Sequence, residues 1–215
     1  KQFWDDCLEL EALIYSNTVQ GNNKMKEKVP ETFEKLGYKN YTSAAIHSKV
    51  RSSYGYYEVK AKPMDSAGSS SFWFQVEDVP GWLTEIDVFE IGGKAPGFEH
   101  KYNMNLHVFK TPQEKKHWSV GGVWVAPWRL ADDYHVYGLE WGEEEIKYFV
   151  DGVVVRSVEN THWHQPLSLI FDSETMPNWF GMPEDEDLPE PAGLLTSTRP
   201  CSFSQNSRTT GGTPS

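Results

Sequence analysis

Alternation of apolar and polar residues with a period of two dominates the middle of the chain. In residues 54–62, Tyr57, Val59 and Ala61 fall on one side and charged residues on the other, a pattern typical of a half-buried β-strand. Other segments rich in aromatic and β-branched residues predict further strands, at residues 71–76, 102–109, 134–141 and 166–172.

A hairpin is the clearest local prediction. Residues 146–150 and 153–158 are strand-like and flank Asp151-Gly152, a dipeptide that supplies both positive-φ positions of a type I′ turn. Only residues 30–36 could form a short helical turn, and no internal repeat is present. Many short strands without a long amphipathic helix predict an antiparallel sandwich or jelly roll.

The composition of the chain argues against some classes of function. The chain has 215 residues, a length typical of one domain, and a formal charge of −11, which argues against nucleic-acid binding because phosphate contacts need a basic face. No apolar run is long enough to cross a bilayer, so no membrane partner is expected. Aromatic residues make up 14% of the chain, and some of these rings could bind the flat faces of sugars, with interior packing as the alternative.

The two ends of the chain carry no predicted chemistry. Residues 191–215 are rich in Ser, Thr, Gly and Pro, which favour turns and disorder, so we expect one folded domain over residues 1–190, to which any function belongs, and a disordered or atypical tail over 191–215. The two cysteines, Cys7 and Cys201, could form a disulfide, but their spacing does not establish one. The N-terminus lacks the pattern of a signal peptide.

Three acidic residues follow one another in an apolar strand. Glu85 and Asp87 have the same parity and therefore face the same side, whereas Glu90 has the opposite parity. One extra residue, a β-bulge near Val88 or Phe89, would return Glu90 to that side. The sequence therefore predicts three carboxyl groups on one surface of a bulged strand.

Such a surface suits the cleavage of glycosidic bonds. Carboxylates on one face repel one another and are costly to bury, so a purely structural strand has little reason to carry them. A retaining glycosidase uses one carboxylate as nucleophile and another as acid/base, and a third acid between them could share a proton with both. The alternative is an ordinary exposed strand face.

The segment from Glu85 to Glu90 resembles the Glu-x-Asp-x-x-Glu signature of glycoside hydrolase family 16 in its bulged form. Further stretches are similar to that family in order and spacing over roughly residues 40–190. The resemblance implies an all-β, antiparallel β-jelly-roll sandwich, concanavalin A-like, with a concave substrate cleft. It also implies retaining endo-hydrolysis of a β-linked polysaccharide.

The same resemblance implies roles for individual residues. By their position in the motif, Glu85 would be the nucleophile, Asp87 its assistant and Glu90 the acid/base. The candidate substrate-binding residues are Trp73, Trp82, Asn105, His107, Glu174, Trp179 and Arg51. Interior packing is the alternative for Trp73, a buried core histidine for His107 and a surface charge for Arg51.

The acidic segment at residues 166–175 resembles the agarase, porphyranase and carrageenase branch of the family. We therefore expect a β-linked algal galactan as substrate, of agarose, porphyran or carrageenan type. A β-1,3-glucanase and a non-catalytic lectin-like protein are the alternatives. We expect a monomer, extracellular or periplasmic, whose partner is a polysaccharide.

Metals and cofactors are not predicted. His162 and His164 lack a third ligand at a recognisable spacing, which argues against zinc. The structural calcium site of the resembling family draws on terminal strands that are not recognisable here. Calcium is therefore not predicted.

Overall fold

Antiparallel β-strands make up nearly all the regular structure of the computed structural model, which describes residues 10–13, 45–76 and 79–187. The strands of these residues are β1 Leu10–Leu13, β2 Ala45–Ser52, β3 Gly55–Ala61, β4 Ser70–Gln75, β5 Leu83–Ile91, β6 Lys101–Lys110, β7 Trp118–Ser119, β8 Gly122–Val125, β9 His135–Trp141, β10 Glu145–Val150, β11 Val153–Glu159 and β12 Leu167–Asp172. One turn of 3₁₀-helix spans Asp185–Asp187. None of the helical structure in these residues is long and apolar enough to span a bilayer.

The strands form two sheets. The larger sheet has the order β1-β2-β12-β4-β5-β6, and both β7 and β8 pair with the far side of β6. The smaller sheet has the order β11-β10-β9-β3. All the pairs are antiparallel, which confirms the predicted all-β antiparallel class.

The hydrophobic core lies between the two sheets. β4, β5 and β6 contribute Phe72, Phe74, Ile86 and Leu106, among other residues that are fully buried. The smaller sheet covers them with a layer that includes Tyr57, Val59, Tyr137, Leu139, Trp141, Ile146 and Tyr148. Because side chains alternate across a strand, the neighbouring positions of β4, β5 and β6 point to the other side of the larger sheet, where the acids lie.

The strands predicted from alternation are confirmed as β3, β4, β6, β9 and β12. The predicted hairpin is β10–β11, and its turn has φ of 49° at Asp151 and 79° at Gly152, as the type I′ turn requires. Four strands, β1, β2, β7 and β8, were not predicted from the pattern. The helical turn at 30–36, Cys7, Cys201 and the tail at 191–215 lie outside the described residues, and the domain boundary at residue 190 stays a prediction.

Candidate active site

One extra residue in β5 changes the side to which its later side chains point. Asp87 pairs with Asn105 and Glu90 pairs with Asn103, so two intervening residues of β5 lie opposite one residue of β6. On the other side of β5, Val88 has no partner in β4. The predicted bulge is therefore confirmed at Val88, and it places all three acids of the motif on the face of the sheet that points away from the core.

Two cavities adjoin on this face. One, of about 210 Å³, is lined by the three acids of β5 together with Ser71, Trp73, Asp172, Glu174 and Met176. The other, of about 410 Å³, lies on the β6–β8 side and is lined by Glu90, Asn103, Met104, Asn105, Gly121, Gly122, Val123 and Trp179. Glu90 lines both cavities, so together they form a groove on either side of this carboxyl group.

Four carboxyl groups, Glu85, Asp87, Glu90 and Asp172, form what we call the acid cluster. Asp87 is the most enclosed, since its side chain is 5% exposed. One oxygen of Asp87 and one of Asp172 are buried without a hydrogen-bond partner among the described residues. Because buried polar atoms normally find partners, the two oxygens mark a place where a proton, a water molecule or a substrate hydroxyl is required.

Burial raises the pKa of every member of the acid cluster. The charge of Asp172 adds to the rise in the pKa of Asp87, and the charge of Glu174 adds to the rise in that of Asp172. Like charges this close cannot all be ionised at little cost. The cluster therefore retains protons at pH values where isolated carboxyl groups have lost them.

The two glutamates of the acid cluster differ in their surroundings. The side chain of Gln75 donates a hydrogen bond to Oε2 of Glu85, which favours the ionised form and partly offsets the effect of burial on the pKa of Glu85. No hydrogen bond from the described residues reaches the carboxyl group of Glu90. After burial, the charges of Asp87 and Glu85 are the main further causes that raise the pKa of Glu90.

His107 lies against the acid cluster. Its Nε2 atom is 3.4 Å from Oδ2 of Asp87 and 3.8 Å from Oε1 of Glu85. These three side chains are the one group among the described residues whose atoms could approach a single cation. However, Nε2 already has a hydrogen-bond partner in the side-chain amide of Asn105, at 2.8 Å, so the arrangement matches a hydrogen-bonded acid–base cluster and we assign no metal to it.

The other predicted binding residues lie in four different places. Trp73 and Glu174 line the smaller cavity, and Asn105 and Trp179 line the larger one. Arg51 pairs with Ser168 on β12, and Ser168 pairs with Gln75, so Arg51 belongs to the cross-strand row that contains Glu85. Trp82 precedes β5 and lines neither of the two cavities.

Several residues of the groove were not predicted from the sequence. Gln75, Asn103 and Ser71 lie opposite the acids on the two neighbouring strands, and Asp172 reaches the site because β12 pairs with β4. The parity of β4 and β6 could have identified the first three, since they alternate with buried apolar residues. Asp172 required knowledge of which strand lies beside β4.

The family to which this chain is similar agrees with the geometry of the acid cluster. A family model described as the GH16 domain of beta-porphyranases A to D matches residues 13–197. The chain belongs to glycoside hydrolase family 16. This confirms the resemblance found in the motif and, with the solved structures below, the predicted jelly-roll sandwich.

The names of the similar proteins point to different polysaccharide substrates. Beta-agarase A from Zobellia galactanivorans is 31% identical over 166 residues, which are 66% of this chain and 30% of that protein. Kappa-carrageenase from Pseudoalteromonas carrageenovora is 27% identical over 146 residues, 60% of this chain and 36% of the relative. Glucan endo-1,3-beta-glucosidase A1 from Niallia circulans is 33% identical over 136 residues, 59% and 19% of the two chains. The chain thus matches about a third or less of the length of these relatives.

A solved family 16 structure has the same architecture. Beta-agarase A from Zobellia galactanivorans superposes with a TM-score of 0.61 at 26% identity, covering 71% of this chain and 62% of the agarase. A structure of beta-agarase A in complex with oligoagarose superposes with a TM-score of 0.61 at 25% identity, covering 71% of this chain and 63% of that one.

Proposed function

We propose that this chain is a retaining endo-hydrolase that cleaves a β-linked algal galactan. The observation that carries the proposal is the bulge at Val88, which places Glu85 and Glu90 on one face with Asp87 between them. Both glutamates line the same cavity of about 210 Å³. A sugar bound there could be attacked by one carboxylate while the other protonates the leaving oxygen.

The surroundings of the two glutamates support different roles. Glu85 accepts a hydrogen bond from Gln75, which stabilises the carboxylate that a nucleophile must be. Burial and the charges of Asp87 and Glu85 raise the pKa of Glu90 more than the charge of His107 lowers it, and this rise favours the protonated form that an acid must have. We therefore propose Glu85 as the nucleophile and Glu90 as the acid/base.

Asp87 is proposed to assist the nucleophile. It lies between the two glutamates on the same face, and its carboxyl group is too enclosed to act on a polysaccharide directly. A proton held on Asp87 can be donated to Glu85 when the glycosyl–enzyme bond breaks and the carboxylate re-forms, and it can be taken back afterwards. The enclosed position keeps this proton out of exchange with bulk water.

The groove supports an endo-acting enzyme. The two cavities continue on either side of Glu90, so sugars can bind on both sides of the scissile bond. Trp179 is 40% exposed beside the larger cavity, where its ring can stack on a sugar face. The names of the agarase and carrageenase relatives support a galactan.

The test is a product profile on agarose, porphyran, carrageenans and laminarin with the wild type and Glu85→Gln. We expect the wild type to release oligosaccharides with new reducing ends from a galactan, with the anomeric configuration retained in the first product seen by NMR. Glu85→Gln should bind the same polysaccharide without cleaving it. Hydrolysis that persists in Glu85→Gln would contradict the assignment of the nucleophile.

A β-1,3-glucanase is the second candidate, because the relative from Niallia circulans carries that activity in its name and is 33% identical over the matched residues. Cleavage of laminarin with no cleavage of the galactans would establish it in place of the galactanase. Binding without product on all four polysaccharides would instead identify a lectin-like protein.

A further inference from the structure

Hydrogen bonds link Asn105, His107 and His117 in a row that runs beside the acid cluster to the protein surface. The side-chain amide nitrogen of Asn105 is 2.8 Å from Nε2 of His107. On the other side of the same ring, Nδ1 of His107 is 3.0 Å from Nε2 of His117. His107 is partly buried and His117 is exposed, so the outer ring of the row lies in solvent.

The orientation of the Asn105 amide decides which nitrogen of His107 carries a proton. The main-chain N–H of Leu106 donates to Oδ1 of Asn105 at 3.0 Å, so the amide NH₂ is the group that points at His107. An amide NH₂ can only donate, and Nε2 of His107 must therefore accept. The proton of a neutral His107 ring is then on Nδ1, where it is donated to Nε2 of His117.

We propose that Asn105 and His117 are positioning residues for His107. Together they hold its ring protonated on Nδ1, with the lone pair of Nε2 directed at the Asn105 amide and no proton on Nε2 beside the acid cluster. This deepens the proposed function, because it assigns a protonation form to the ring that faces the reacting carboxyl groups. Neither Asn105 nor His117 donates or accepts a proton in the reaction under this proposal.

Stacking fixes the position of the outer ring. Phe109 lies parallel to His117, with ring centroids 4.5 Å apart and an interplanar angle of 6°. Phe109 also lies parallel to His107, at 5.4 Å and 10°. The rings of His107 and His117 are within 13° of parallel, with centroids 5.3 Å apart, and Phe109 packs against both, so Nε2 of His117 lies close to the plane in which His107 presents its Nδ1–H.

The protonation form of the His107 ring matters because carboxyl groups face it. The titratable groups that face His107 in the described part of the chain are Glu85 and Asp87 on β5, Glu90 on the same strand, whose pKa the charge of His107 lowers, and His117 before β7. A neutral ring that presents a lone pair places no positive charge beside the carboxyl groups. Burial is the first cause that raises the pKa of Glu85, and a charged His107 ring opposes that rise, so a ring without a proton on Nε2 lets the carboxyl groups keep their protons to higher pH.

Loss of the acceptor at position 117 has a defined consequence. Without it, the Nδ1–H of His107 has no partner and the proton can move to Nε2, where it is donated to Asp87 or Glu85. The carboxyl groups then lose their protons at lower pH. We therefore expect the alkaline limb of the pH profile of kcat to move to lower pH in His117→Phe.

The first test needs no substrate. Nitrogen-15 NMR of histidine-labelled protein at neutral pH, with the His107 signals assigned by their loss in His107→Gln, should show a lone-pair nitrogen at Nε2 and a protonated nitrogen at Nδ1. His117→Phe keeps an aromatic ring on Phe109 but removes the acceptor, and it should shift the proton toward Nε2. His117→Gln offers a side-chain oxygen as acceptor and should retain the wild-type form.

The second test is kinetic, on whichever polysaccharide the wild type cleaves. Above the optimum pH, His117→Phe should lower kcat about tenfold with KM unchanged, which is the order of loss when a partner that orients a functional histidine is removed. His117→Gln should recover most of this loss. Lys116→Ala, which alters the exposed neighbour of His117, is the control and should behave as the wild type.

Two results would overturn the proposal. One is a wild-type His107 that is protonated on Nε2 at neutral pH, whether neutral or as imidazolium. The other is an identical pH profile in His117→Phe and the wild type. An inactive wild-type protein would contradict the proposed function alone, because the NMR measurement of the ring would still give its answer.

Discussion

The indole N–H of Trp163 donates a hydrogen bond to the main-chain carbonyl oxygen of Glu85 at 2.9 Å. The same N–H lies 3.1 Å from the carbonyl oxygen of His107, which is the residue of β6 paired with Glu85. Trp163 is 1% exposed and belongs to the core. One buried side chain therefore holds together, from the core side, the two strands that carry the nucleophile proposed here and the histidine beside it.

We predict that Trp163→Phe lowers the free energy of unfolding by about 1–3 kcal/mol, because two buried carbonyl oxygens lose their shared donor. It should also lower kcat, since the main chain at Glu85 is no longer fixed. Urea denaturation and steady-state kinetics measure the two effects. Trp128→Phe is the matched control, because the Trp128 N–H is buried without a partner among the described residues; equal losses in both variants would attribute the effect to ring size.

Replacement of the proposed acid/base gives a prediction that depends on the leaving group. Glu90→Gln should slow polysaccharide hydrolysis about 10²–10⁴-fold, the usual contribution of general acid catalysis. An aryl glycoside with an acidic phenol needs no protonation on departure, so its first-step cleavage should be affected far less. Glu85→Gln should lose both activities. If Glu90→Gln loses them equally as well, Glu90 is not the acid.

We predict that the acid cluster makes the folded protein less stable as the pH rises. The pKa of Asp172 and that of Asp87 are raised in the folded protein, by burial first and by a neighbouring carboxylate second. A carboxyl group whose pKa is higher in the folded than in the unfolded protein stabilises the fold while it is protonated. This stabilisation is fully present below the pKa of the unfolded state and is lost as the pH rises through the pKa of the folded state. The melting temperature should therefore be higher near about pH 5 than near about pH 8.

Asp172→Asn tests the source of this dependence. It removes a charge that raises the pKa of Asp87, so the fall in melting temperature between the two pH values should become smaller. Glu145→Gln also removes one negative charge, but at an exposed site where hydrogen bonds from Ser157 and Lys147 lower the pKa of the carboxyl group. If both variants flatten the curve equally, net charge and not the acid cluster causes the dependence.

A glycine at the end of the acid-bearing strand is predicted to be irreplaceable. A Cβ atom on Gly93 would lie 2.2 Å from the main-chain oxygen of Met64, and main-chain atoms cannot move aside as the end of a side chain can. We expect Gly93→Ala to cost about 1–3 kcal/mol of stability. Gly121→Ala is the control, since its nearest atom is 3.6 Å away; a similar melting temperature for both variants would contradict the prediction.

Most strands were predictable because alternation is a local property of the chain. β3, β4 and β6 each have a buried face against the smaller sheet, and the period of two in their sequences follows directly from that. β2 and β8 lack this signal. β2 has exposed residues at Lys49, Val50 and Arg51, and β8 exposes Val123 and Val125, so both strands form because a neighbouring strand supplies hydrogen bonds, which the pattern within the segment does not reveal.

The candidate site, like the strands, was predictable in part from the local sequence and in part only from the folded structure. The spacing of Glu85, Asp87 and Glu90 within one strand determined that a single bulge would bring the three acids to one face, because parity along a strand depends only on residue count. Which side chains surround them depends on strand pairing between distant segments. Only the tertiary structure decided that Gln75 bonds Glu85, that Asp172 joins the acids from β12, that His117 contacts His107, and how deeply Asp87 is buried, because burial and charge at one atom are set by residues that come together only when the chain is folded.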